Sequence, residues 1–136
     1  MNSPWILILL QAVVGLGLLN VWLLRARAST AYRGGDADSL RDEFRAYGLP
    51  AAAFWVVGGL KIAAGLILLV GIVFPLPGLV PLAAGTVVIL MVGAIAMHLK
   101  VGDPPVRSLP AVLMLLMSGV ILLLSFEGIT GATMVR

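Results

Sequence analysis

A single lysine stands in the middle of a long apolar run: Lys61 is the one charge between Ala51 and Phe74. An ionisable side chain at that depth costs roughly 2.5–3.5 kcal/mol on insertion scales, so a compensating partner is expected. Three other residues can meet it: Asn20 late in the first apolar run, His98 at the end of the third, and Trp55. At a rise of 1.5 Å per residue, His98 lies about 1.5 Å deep, Asn20 about 6 Å and the Lys61 backbone about 15 Å. A lysine extended toward the interface could share a level with Asn20, with His98 and Trp55 above. Lys61, Asn20, His98 and Trp55 thus form a candidate polar cluster or ligand site. In one reading the ammonium turns into the bundle and meets Asn20, another oxygen or an anionic headgroup. In the other it snorkels to the interface and does nothing further.

The rest of the chain narrows the chemistry. Cysteine is absent, which removes thiolate nucleophiles, iron–sulfur clusters and Cys-ligated zinc. One histidine and six carboxylates, mostly in one loop, do not suggest a metal or bis-histidine haem site. No phosphate loop, nucleophile–base pair or paired carboxylates are present. No catalytic activity of its own, no metal and no required cofactor are expected; a quinone is one small molecule the cluster could admit.

The elements that must position these residues follow from composition. The 136 residues are 61% hydrophobic and 11% charged, with a mean hydropathy of +1.13. Soluble domains are about 45–50% apolar and about 25% charged, so lipid is the expected solvent. Four apolar runs can cross a hydrocarbon core of about 30 Å: Pro4–Leu24, Ala51–Phe74, Leu79–Leu99 and Leu109–Phe126. The first lacks a basic leader region and is too long for a signal peptide, so a retained span is expected. Pro75-Leu76-Pro77-Gly78 makes the second and third runs antiparallel neighbours. Small residues (Gly15, Gly17, Gly58, Gly65, Gly93, Ala94) suit close helix packing. The fold expected is all-α: one domain over residues 1–136, an up-and-down bundle of four transmembrane helices.

Seven basic residues (Arg25, Arg27, Arg33, Arg41, Arg45, Lys100 and Arg107) fall in the first and third connections, against Arg136 on the other side. Short Lys/Arg-rich loops stay cytoplasmic, so both termini are expected outside. The excess of arginine then describes topology and lipid contact rather than nucleic-acid binding. Trp5, Trp22 and Trp55 lie near span ends, where indoles anchor, and Glu127 marks the outer end of the fourth span.

Within the first connection, residues 36–47 predict a short amphipathic helix. Asp36, Asp38 or Ser39 can cap it, and Gly48 and Pro50 stop it. Leu40, Phe44 and Tyr47 form its apolar stripe, flanked by Arg41 and Arg45. Such a helix lies in the headgroup layer or packs on the end of the bundle, as a cap or as a docking surface.

Two stretches resemble a known family. Phe44-Arg45-Ala46-Tyr47-Gly48-Leu49-Pro50, followed by Val57-Gly58-Gly59-Leu60-Lys61-Ile62-Ala63-Ala64-Gly65, is similar to the DoxX family of small bacterial membrane proteins. His98-Leu99-Lys100-Val101-Gly102-Asp103-Pro104 resembles that family's ending of the third span. The resemblance implies a four-span bundle in the bacterial inner membrane, attached to something larger, such as a quinol-oxidase or a thiol-linked stress complex. Members usually carry a base late in the first span and an acid in the second. This chain has Asn20 near the first place and Lys61 at the second. The leading functional expectation is a non-catalytic accessory or assembly subunit of a larger membrane complex, with a respiratory, quinone-linked complex as one candidate. The alternative is a quinone- or lipid-binding bundle with a pocket on the cytoplasmic side. A transporter fits least, because no polar stripe lines a path. The partners expected are lipids, other membrane subunits or a second copy.

Overall fold

A computed structural model describes residues 4–28 and 30–134, with side chains from 5 to 126; Arg136 and the side chain of Glu127 lie outside them. Helix α1, Pro4–Leu19, runs on into a π-turn, Asn20–Leu24. A short helix α2, Leu40–Ala46, follows in the first connection. Three long helices complete the chain: α3 (Ala51–Val73), α4 (Leu79–Lys100) and α5 (Leu109–Met134). A 3-10 turn, Pro105–Ser108, leads into α5. Among the described residues, four helical segments are long and apolar enough to span a membrane. The protein is an all-helical, four-span membrane bundle.

The long helices pack in a ring, α1 on α3, α3 on α4, α4 on α5 and α5 back on α1. Lipid-facing helices gain little from the hydrophobic effect, so small residues and shape decide where they meet. At the α1–α3 crossing, a Cβ on Gly65 would lie 3.2 Å from the Gly15 carbonyl oxygen. Glycine at both positions leaves room for that backbone approach. Farther along, the buried Gln11 donates from Nε2 to the Leu68 carbonyl at 2.9 Å, tying α1 to α3 in place of a water contact. The main core comprises Val14, Leu18, Ala64, Leu68, Val80, Ala83, Ala84, Val87, Met91, Ala111 and Ile121.

The helix of the first connection is shorter than residues 36–47. Ser39 is extended (φ −151°), and its side chain accepts from the Asp42 amide at 3.2 Å, so the helix begins at Leu40. Gly34–Asp36 instead forms a separate 3-10 turn, with Asp36 at φ +58°. The first span departs from α geometry at Asn20, and the second ends at Val73, because Phe74 is extended ahead of Pro75.

Two helices stop in the same way. After α2, Gly48 at φ +76° lets its N–H reach the Arg45 carbonyl and the Leu49 N–H reach that of Phe44. After α4, Gly102 at φ +70° repeats this, with Gly102 N–H on Leu99 and Asp103 N–H on His98. Both are Schellman endings, which fold the chain back over the last helical turn. The second determines where the polar residues of the site stand.

Candidate functional site

The Schellman turn after α4 carries Asp103 back over His98. Oδ2 of Asp103 comes within 2.8 Å of His98 Nδ1, which donates to the ionised carboxylate. The same carboxylate accepts the Gly35 amide at 3.0 and 3.2 Å and Arg107 Nη1 at 2.7 Å. Arg107 reaches on to the exposed Asp36. One buried carboxylate therefore ties the turn at Gly34–Asp36 to α4 and to the start of α5. Burial alone would raise the Asp103 pKa, but the hydrogen bonds from His98, Gly35 and Arg107 outweigh it and hold the carboxyl below the usual range.

A second buried group fastens α2. Glu43 accepts the Tyr47 hydroxyl at 2.6 Å on one oxygen, and Arg33 faces the other at 3.5 Å. Arg33 also donates to the carbonyls of Ala28 and Arg25. Burial and the Glu43 carboxylate push the Tyr47 phenol well above its ordinary pKa, so it stays a donor. Lys100 donates to the Tyr47 carbonyl at 2.8 Å, across the bundle end from α4. Leu40, Phe44 and Tyr47 are buried against the bundle, while Arg41 and Arg45 are exposed. Arg45 pairs weakly with Asp42 at 3.3 Å. The stripe thus packs on the end of the bundle.

Under this lid lies an aromatic cluster. Trp22 is 7% exposed and meets Phe44 edge-on at 5.9 Å and Phe54 at 5.3 Å. A Cβ at Gly58 would lie 2.6 Å from the Trp22 ring, so a glycine there gives the indole its seat. Trp22 is therefore a core residue, where its position near a span end suggested a headgroup anchor. Lys61 places its ammonium 5.4 Å from the Trp22 ring centroid. It stands on the buried stripe of α3, three residues past Gly58 and four before Gly65. Among the described residues, no oxygen hydrogen-bonds this ammonium.

Beside Lys61 opens a cavity of about 500 Å³ between α1, α4, α5 and the first connection. Its wall is apolar at Leu18, Trp22, Met91 and Met114, and polar at Lys61 and His98 and, toward the first connection, at Arg33, Glu43 and Arg107. The structure brings Lys61 and His98 to one cavity but leaves Asn20 and Trp55 out of it. Asn20 is exposed because it sits two residues past Leu18, on the far side of the stripe Gln11, Val14, Leu18, Trp22. Trp55 is 65% exposed and stacks edge-on with Phe54. Asn20→Ala and Trp55→Leu are accordingly expected to change unfolding free energy in detergent by less than about 0.5 kcal/mol. A loss of several times that in either variant would place the residue in the site after all.

Arg33, Glu43, Asp103 and Arg107 escaped the sequence reading. Glu43 carried a visible signal: it occupies the i+3 position of the stripe Leu40–Phe44–Tyr47, where a carboxylate must be buried. Asp103 stands in the stretch that resembles the family's third-span ending, but its meeting with His98 follows only once Gly102 is read as a helix stop.

Fold and site together define a small polytopic membrane bundle whose first connection closes one end over an internal cavity. The model of the DoxX-like family matches residues 17–120, a stretch that contains every residue lining the cavity, and the chain belongs to that family. No curated protein and no solved structure matches the chain.

Proposed function

We propose that this protein is a binding bundle that holds a lipid-soluble small molecule, a lipid or a quinone, in the cavity under its first connection. The observation that carries this reading is a cavity of about 500 Å³ with an ammonium in its wall that no oxygen among the described residues hydrogen-bonds. Ligand sites typically occupy about 300–1,000 Å³, with apolar walls and a few convergent polar groups. An ionisable residue within a span is by default a candidate functional site. The test is purification from the native membrane in mild detergent, followed by protein and lipid mass spectrometry. A stoichiometric small molecule supports the reading; stoichiometric partner proteins with no bound small molecule defeat it.

A second reading, an accessory subunit of a membrane complex, draws on a different face. Gly59 and Ala63 lie exposed one turn apart on α3, and a Cβ on Gly59 would meet nothing within 4 Å. A lipid-facing groove of this kind is what a neighbouring transmembrane helix packs against. Gly59→Leu should then release a co-purifying subunit or second copy without touching the cavity.

In both readings the closed end faces the cytoplasm of a bacterial inner membrane, because it holds Arg25 to Arg45, Lys100 and Arg107. A phosphatase fused to the C-terminus should be active, and a fluorescent protein there dark. The reverse pattern would turn the protein over.

A further inference from the structure

The charges around the cavity do not cancel where the ligand would sit. Glu43 is committed to Tyr47 and Arg33, and Asp103 to His98, Gly35 and Arg107. Arg107 is shared between Asp103 and the solvated Asp36. Among the described residues, that leaves two cavity-lining cations in no ion pair: Lys61 within the wall, attracted by Glu43 only at longer range, and Arg25, exposed at the rim. Beyond the charged groups the wall is apolar, with Met91 and Ala94 on α4 and Ala111 and Met114 on α5. Methionine walls adapt to slender, variable apolar shapes.

Resting on the binding reading above, we propose that the ligand is an acidic amphiphile: an anionic head between Lys61 and Arg25, and an apolar tail against the methionines. A neutral head could accept from the ammonium but would leave its charge uncompensated, and a cationic head would add a like charge in a site of low dielectric. A carboxylate or phosphate oxygen supplies both the charge and the missing acceptor. A fatty acid and an anionic phospholipid offer the same head chemistry.

The test uses Trp22 as the reporter. Replacing Trp5 and Trp55 by Phe leaves it the one tryptophan of the three, buried and on the cavity wall. The protein is placed in phosphatidylcholine vesicles and titrated with dibromostearate and with dibromostearyl alcohol, whose bromines quench indole only at close range. Saturable quenching is expected with the acid at a concentration about tenfold or more below that of the alcohol, as befits one charge-assisted hydrogen bond. In Lys61→Met that preference should vanish, the acid titration weakening to the level of the alcohol. A dibromo-phosphatidylglycerol arm tells a bilayer lipid from a free acid as the source, and saturable quenching by either sustains the proposal. Equal quenching by acid and alcohol in the unsubstituted cavity would overturn the acidic head and leave the binding reading standing. No saturable quenching by any probe would overturn both.

Discussion

Asp103→Asn is expected to undock the first connection and to lower stability by about 3–5 kcal/mol, the usual consequence of breaking a buried ionic network by removing one partner. The side chain is 3% exposed and is the common acceptor for His98, the Gly35 amide and Arg107. An amide keeps the shape but presents one acceptor oxygen and brings two donors into a place that already holds three. The comparison is Asp42→Asn, which breaks an exposed pair with Arg45 and should cost under about 0.5 kcal/mol. Hydrogen exchange of the amides from residue 30 to 47 reports docking directly, and should rise in the first variant and not in the second. The pH dependence has a definite sign. The folded pKa of Asp103 is depressed, so its contribution is fully present above the ordinary value of about 3.9 and is lost as pH falls through the depressed one. Unsubstituted protein should keep its protected loop at pH 5 and release it only in stronger acid. Protection unaffected by Asp103→Asn at neutral pH would show that the apolar stripe of α2 holds the lid unaided.

The spans were legible because lipid demands long uninterrupted apolar runs, and composition reports that demand directly. The stripe of α2 was legible for a similar reason, since Leu40, Phe44 and Tyr47 repeat at helical spacing. Its start was not, because Asp36, Asp38 and Ser39 are all competent caps and the chain uses the third. The site was legible only in depth. Counting residues along a helix gives height in the membrane but not direction, and Asn20 has the right height on the wrong face. A wheel of α1 would have shown it, with Gln11, Val14, Leu18 and Trp22 all on the buried side. The contacts that close the lid were out of reach in another way. Gly35 and Asp103 lie 68 residues apart, and Lys100 and Tyr47 are separated by 53. Nothing local predicts that two loops meet, except that four crossings return both to one end. The reading of glycines as helix stops placed Gly48 correctly. Applied as closely to Gly102, it would have folded Asp103 onto His98.

Trp22→Ala and Lys61→Met touch the same contact and should move stability in opposite directions. Trp22 fills the space over Gly58 and joins Phe44 and Phe54, so its removal leaves a hole beneath the lid and should cost about 3–5 kcal/mol. Lys61 gains from the face of that indole about 0.5–2 kcal/mol. Against this stands roughly 2.5–3.5 kcal/mol for a charged side chain near the middle of a span. No hydrogen bond to an oxygen closes the gap among the described residues. Methionine keeps the length and flexibility of the stem and removes the charge. Lys61→Met is therefore expected to raise the unfolding free energy of the ligand-free protein by about 1–2 kcal/mol. An intramembrane charge that weakens its own fold is what a binding site requires and a packing site does not. Unfolding of both variants in mixed micelles, followed by circular dichroism, decides the signs. If Lys61→Met is destabilised by as much as Trp22→Ala, the ammonium has a structural partner, and its place in the cavity wall is part of the fold rather than of a site.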